Sequence, residues 1–225
     1  MKHSVIKNGL ILSAFAMVTS GLIGFTYFGT QEQIAHQQQQ KLQGILNAII
    51  EPSSYTNAIA NNCALMSSAE YLGTKEPQHI YRALNNDQPT AVAIETTAPD
   101  GYSGKIQLVV GLTQDVDGNV VISGVRVLDH KETPGLGDKI DLRVSDWVLS
   151  FAGNVVNTDS IRRFAVKKDG GNFDQFTGAT ISPRAVVNAV KRSALYYQQH
   201  KDDIFAAPNA CSLNTTALSE ANYHE

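Results

Sequence analysis

The sequence predicts an α+β protein: an N-terminal transmembrane helix followed by a domain with a mainly antiparallel sheet and packed helices. Three features point there. An uncharged, apolar stretch fills residues 8–31, strand–turn–strand units repeat between residues 79 and 128, and an amphipathic helical stripe occupies residues 183–200. The 225 residues suit one ordinary domain plus an appendage, with 43% of them hydrophobic and 17% charged. A formal net charge of −3 without a long basic run gives no footprint for nucleic acid.

The apolar stretch carries Leu10, Ile11, Leu12, Phe15, Val18, Leu22 and Phe25. About 20 such residues at 1.5 Å each cross a bilayer core of roughly 30 Å. Lys2, His3 and Lys7 precede the span, so the positive-inside bias puts the N-terminus in the cytoplasm and the remainder outside. A cleaved signal peptide is the competing reading. Its apolar core is usually about 7–15 residues and ends at a small-residue cleavage site. Here Tyr27 and Phe28 prolong the run, and no A-x-A follows them. The expected division is therefore a cytoplasmic N-terminus and anchor over 1–31, a membrane-proximal helix over 32–52, a folded domain over 53–205 and a polar tail over 206–225.

Ile34, Leu42, Ile45, Leu46, Ile49 and Ile50 fall near helical spacing, with Gln37 to Gln40 as a solvated face and Pro52 as the stop. Residues 53–77 carry no clear pattern. Strands are predicted over 79–84, 89–97, 105–111 and 120–128. They are separated by turn clusters at Asn85, Asn86 and Asp87, at Asp100 and Gly101, and at Asp117, Gly118 and Asn119. A glycine-rich loop follows over 132–137. Next come a short helix over 144–151 with the only tryptophan, Trp147, an extended piece over 163–167 and a turn at Asp169, Gly170 and Gly171. The closing helix, 183–200, buries Val186, Val187, Val190, Ala194, Leu195 and Tyr197. The tail beyond Asp203 is polar and expected to be loose.

Cys63 and Cys211 leave two readings open: one disulfide tying the start of the domain to its tail, or two unpaired structural thiols. Their separation and the lack of nearby histidines argue against zinc, and the scattered single histidines predict no metal site. No G-x-G-x-x-G or Walker A run is present.

The chemically suggestive segment is Thr177, Gly178, Ala179, Thr180, Ile181, Ser182, Pro183. Ser182 reads as an N-cap and Pro183 as the first helical residue. Thr180 then stands just ahead of a helix N-terminus, where unpaired N–H groups and the helix dipole favour a negative group. Gly178 and Ala179 leave the backbone open to close approach. On these residues alone, a bare helix start or a simple anion site explains the same letters.

Asp174 followed by Thr177, Gly178, Ala179 and Thr180 resembles the flavinylation motif of FMN-binding domains. The run from Asp100 to Gly104 resembles the same family, in the same order, as do the run from Glu132 to Asp138, Trp147, the run from Ala165 to Gly170, and Val190 with Lys191. With the anchor included, the chain resembles the G-subunit family of Rnf (Rsx) ion-translocating electron-transport complexes of bacterial inner membranes. The resemblance implies a covalent FMN, moved from FAD by a flavin transferase onto Thr180 through a phosphoester bond. It implies that Asp174 helps the transferase recognise the site. It implies a loop of Glu132, Thr133, Pro134, Gly135, Leu136 and Gly137 over the flavin, Lys167 or Lys168 near the flavin or phosphate, and Tyr102 and Ser103 lining the pocket. Thr177, Gly178, Ala179 and Ser182 complete the expected cofactor-binding set, and Trp147 is either core or flavin contact.

The function so implied is electron carriage within a membrane complex that couples ferredoxin-like and NAD(H) pools to ion movement. Its expected partners are the other membrane and peripheral subunits, and its place is a single-pass inner-membrane anchor with a periplasmic flavin domain. No acid, base or nucleophile constellation is evident. One rival is a stand-alone membrane-anchored flavin reductase. Another is a non-redox anchored binding module with an anion site at Thr180.

Overall fold

The computed structural model describes residues 2–157 and 159–211, and two compact units divide at Leu42 and Gln43. In the first unit, helix α1 (Lys2–Ile49) begins its course as an exposed apolar rod. The helical span Ile6–Gln31 is long and apolar enough to cross a membrane. The hydroxyls of Thr19, Thr26 and Thr30 donate back to the carbonyls of Phe15, Leu22 and Thr26. Such local bonds satisfy the polar groups without water, as a lipid setting demands. Helix α1 ends three residues before Pro52.

The second unit opens with the last turns of α1. Leu46 and Ile49 are buried there, and the Ile49 backbone lies on the paired glycines Gly111 and Gly124. A Cβ built on Gly124 would stand 2.9 Å from the Ile49 Cα, so the helix seat requires glycine. Among the described residues the sheet has six antiparallel strands in chain order: β1 (Cys63–Ser68), β2 (Thr74–Asn85), β3 (Gln88–Gly101), β4 (Gly104–Gln114), β5 (Val120–Asp129) and β6 (Val155–Val156). Each long hairpin closes where the turn residues require it. Asn86 and Asp87 adopt φ of 50° and 63°, the left-handed pair of a tight hairpin. The Asp115 carboxylate accepts from the N–H groups of Asp117 and Asn119, with Gly118 left-handed at φ 81°.

Helix α2 (Ile181–Ala206) packs on β3, β4 and β5 through Val186, Val187, Val190, Ala194 and Tyr197. β1 and β6 lie in stretches where no strand is predicted. The extended piece over 163–167 is corrected: 3₁₀ turns occupy Ile161–Arg163 and Lys167–Asp169, with a single bridge from Val166 to Phe173 between them. The helix over 144–151 is a 3₁₀ helix, Asp146–Phe151.

The start of the tail is tied down, contrary to the loose tail expected beyond Asp203. α2 continues to Ala206, and the Arg82 guanidinium donates to the carbonyls of Ile204 and Ala207 at 3.2 and 2.6 Å. Asn209 accepts from the N–H groups of Cys63 and Cys211, and the two cysteines form a disulfide. Of the two readings open for Cys63 and Cys211, the bonded one holds. The rest of the polar tail, 212–225, lies outside the described residues.

Candidate functional site

The site grows from an aromatic anchor. Trp147 packs edge-on against Phe176 at 5.2 Å, and its indole N–H donates to the Asp174 carbonyl at 2.8 Å. Phe151, Phe164 and Phe173 stack beneath, with the Phe151 and Phe173 rings 4.5 Å apart. This cluster fixes the chain on either side of Asp174, so the turn that follows has a rigid base. The Ala179 N–H donates to the Phe176 carbonyl, and Gly178 at φ 81° makes the left-handed step that delivers Thr180 to α2.

Thr180 is the N-cap of α2, which corrects the expectation that Ser182 fills that position. Its backbone is already helical, at φ −85° and ψ −25°, and its side chain makes no capping hydrogen bond. Threonine at an N-cap ordinarily turns its oxygen onto an N–H of the first turn. Here the hydroxyl has no hydrogen-bond partner among the described residues, beside the positive end of a 26-residue helix.

Ser182 is turned inward instead. It is buried, and its hydroxyl donates to Glu132 Oε2 at 2.6 Å. Glu132 is 5% exposed, and its other oxygen accepts the Ser103 N–H at 3.1 Å. One buried carboxylate thus joins the β3–β4 turn, the glycine-rich loop and the start of α2. Glycines make room for it. A Cβ on Gly137 would stand 2.6 Å from Glu132 Oε2 and 2.5 Å from the Ser182 hydroxyl, and one on Gly101 would stand 2.9 Å from Glu132 Oε1. Behind the loop, the Glu132 N–H donates to His130 Nδ1, and His130 Nε2 faces Asp141 at 3.5 Å. The Arg143 guanidinium, hydrogen-bonded to Asp141, holds that carboxyl below the usual range.

Around Thr180 opens a cavity of about 350 Å³, lined by Tyr102, Glu132, Thr133, Leu136, Gly137, Gly178, Ala179, Thr180, Ile181 and Ser182. Its rim is apolar and accessible: Tyr102 is 70% exposed, and Leu136 and Ile181 are each 43% exposed. Mixed lining of this kind suits a flat, partly apolar ligand oriented by a few polar groups. A phosphorylated flavin fits such a lining: a helix N-terminus favours the phosphate charge, and the apolar rim suits the ring.

The structure thus brings ten residues together, nine of them expected and Ile181 unforeseen. The signal for Ile181 was its place directly after the motif threonine. Ser103 reaches the site through its backbone N–H alone. Pro134, Gly135 and Thr177 are exposed beside the cavity without lining it. Asp174 is ion-paired with Lys167 at 2.5 Å, outside the lining. Lys168 is exposed, its backbone N–H bonded to the Gln175 side chain, also outside the lining. Trp147 supports the turn rather than lining the cavity.

Known proteins match the chain over most of its length. The FMN-binding domain family matches residues 101–194, and the RnfG N-terminal region matches residues 1–49. The G subunit of the ion-translocating oxidoreductase complex of Pseudoalteromonas atlantica is 60% identical over 211 residues, covering 94% of this chain and 96% of that protein. The corresponding protein from Vibrio cholerae is 51% identical, over 94% of this chain and 99% of its own length. That from Shewanella piezotolerans is 46% identical, over 95% and 99%.

Proposed function

We propose that this chain, which belongs to the G-subunit family of ion-translocating oxidoreductase complexes and carries an FMN-binding domain, is an electron carrier whose FMN is esterified through its phosphate to Thr180. The observation that carries the reading is Thr180: it lines the cavity at a helix N-terminus, and its hydroxyl is unused by its own helix. When bound, FMN supplies reversible electron transfer. The protein's residues supply placement. Thr180 is the tether, and the first N–H groups of α2 favour the phosphate charge. Glu132, Ser182 and Gly137 form a fixed polar wall, while Tyr102, Leu136 and Ile181 offer apolar surface that keeps water from the ring.

Attachment breaks the pyrophosphate bond of FAD, forms the Thr180 O–P bond and releases AMP. A flavin transferase catalyses it, with the exposed Asp174–Lys167 pair and Thr177 as recognition surface. The partners are the other subunits of the complex to which the relatives belong. Export of the flavin domain is supported by the basic residues ahead of the apolar span and by a disulfide, which persists in oxidising compartments. The chain is then a single-pass inner-membrane protein with a cytoplasmic N-terminus and a periplasmic flavin domain.

Thr180→Ala in full-length protein made in cells containing the transferase tests the tether. The denatured wild-type band is expected to fluoresce as a flavin and the variant band to be dark. A fluorescent variant band would overturn the assignment. Co-purification of the wild type with polytopic partner subunits supports the carrier role, whereas turnover of a soluble acceptor by the isolated chain would favour a stand-alone reductase.

A further inference from the structure

A second chemically organised corner lies away from the cavity, where β1, β2 and β3 meet the end of the chain. The antiparallel register sets Leu65 opposite His79 and Cys63 opposite Tyr81, which brings His79 beside Cys63. The sequence shows no histidine near either cysteine, but folding places a ring nitrogen of His79 and the sulfurs of Cys63 and Cys211 within 4.8 Å of one another. His79 Nδ1 is held by Glu95 Oε2 at 3.0 Å across the β2–β3 pair. Tyr81 stacks on the imidazole with ring centres 5.9 Å apart and donates its hydroxyl to Glu95 Oε1 at 3.1 Å. A histidine fixed at Nδ1 by a carboxylate presents Nε2 to a ligand, the second contact that metal-binding histidines make almost without exception.

From this arrangement we infer that reducing the Cys63–Cys211 disulfide converts the corner into a Zn²⁺ site with Cys63, Cys211 and His79 as ligands and a solvent position open. The reductant is a dithiol. It gives two electrons and two protons, its own sulfurs join as a disulfide, the Cys63–Cys211 bond breaks, and two thiols result. Zn²⁺ then displaces the two thiol protons. Two thiolates and one imidazole with a fourth position open form an established zinc ligand set, with Zn–S near 2.3 Å and Zn–N near 2.0–2.1 Å.

The corner is built to stay together once the covalent bond is gone. Asn209 accepts from the N–H groups of both Cys63 and Cys211, its amide donates to the Asn61 carbonyl, and the Ala210 N–H donates to the Cys63 carbonyl. Arg82 holds the preceding carbonyls of Ile204 and Ala207. The two sulfurs therefore remain neighbours in the dithiol form. His79 is half-exposed, so an ion reaches the site from solvent.

The test uses the full-length protein in detergent, oxidised or reduced without oxygen by a phosphine that is then removed, and titrated with Zn²⁺ against a chromophoric chelator. Reduced wild type is expected to take one equivalent and the oxidised form none. His79→Ala, which leaves the disulfide and the oxidised fold in place, is expected to weaken binding to the reduced form at least 100-fold. Glu95→Gln is expected to weaken it about 10–100-fold, the range for loss of a metal ligand's supporting contact. Cobalt(II) in place of zinc is expected to give thiolate charge-transfer absorption in the reduced wild type only. Failure of reduced wild type to bind, or equal affinity in reduced His79→Ala, would overturn the proposal.

Discussion

The two ends of α2 are built to opposite rules. At and beyond its C-terminal end the chain is tied down: Arg82 takes the carbonyls of Ile204 and Ala207, Asn209 takes the N–H groups of Cys63 and Cys211, and a disulfide closes a loop with a sequence separation of 148. At its N-terminal end Thr180 occupies the capping position and caps nothing. The residue two places on, Ser182, is buried and committed to Glu132. The difference separates two tasks. One end locks the last element onto the sheet, while the other holds a rigid frame around a hydroxyl that its own helix does not use. Local satisfaction of such a group ordinarily adds stability, and the proposed flavin tether is what would use it here instead.

The largest effect expected from breaking this comparison lies at the locked end. Replacing Cys63 and Cys211 by serine removes a cross-link whose chain-entropy contribution is about 5 kcal/mol at most for so long a loop. The contacts of Arg82 and Asn209 remain, so a loss of about 2–5 kcal/mol is expected by denaturant unfolding, with flavin attachment retained. A loss of attached flavin in the folded variant would show that the two ends are not separate in task.

Next comes the frame at the free end. Glu132→Ala strands the Ser182 hydroxyl and the Ser103 N–H, and is expected to cost about 1–3 kcal/mol. Gly137→Ala drives a methyl against Glu132 and Ser182. It is expected to cost a similar ~1–3 kcal/mol while also lowering flavin occupancy, read as the ratio of flavin to protein absorbance.

Thr180→Ala sharpens the comparison from the other side. Loss of a working threonine N-cap usually costs about 1 kcal/mol. Here unfolding is expected to shift by less than about 0.5 kcal/mol, because no cap bond is lost. A full capping loss would contradict the reading of the hydroxyl as free.

The smallest expected effect is a pH dependence at the locked corner. The hydrogen bond that His79 donates to Glu95 raises the His79 pKa above its ordinary value of 6.5, against a smaller opposing effect of burial. The stabilisation is fully present below 6.5 and is lost as pH rises through the raised folded value. His79→Gln is expected to lower the melting temperature below that window, to remove its fall across the window, and to leave it unchanged above.

Much of this frame was readable in the chain because it rests on local rules. The left-handed turn at Asn86 and Asp87, the Asp115–Asn119 turn and the apolar stripe of α2 each follow from neighbouring residues. What escaped reading depends on distant partners. β1 carries only two buried residues at its start, Cys63 and Ala64, and owes its form to pairing with β2. The N-cap fell on Thr180 rather than Ser182 because Glu132, 50 residues earlier, draws the Ser182 hydroxyl inward. His79 reaches the cysteines only through strand register. The run of site residues from Gly178 to Thr180 is continuous and therefore visible, whereas the tie between Glu132 and Ser182 that frames it is not.

The most direct test of the central claim is the mass of the proteolytic peptide spanning Asp174 to Arg184, taken from full-length protein made in cells that contain the flavin transferase. The expected result is a mass increment of one FMN less one water, with fragmentation assigning it to Thr180. A coloured protein whose Thr180 peptide is unmodified would contradict it.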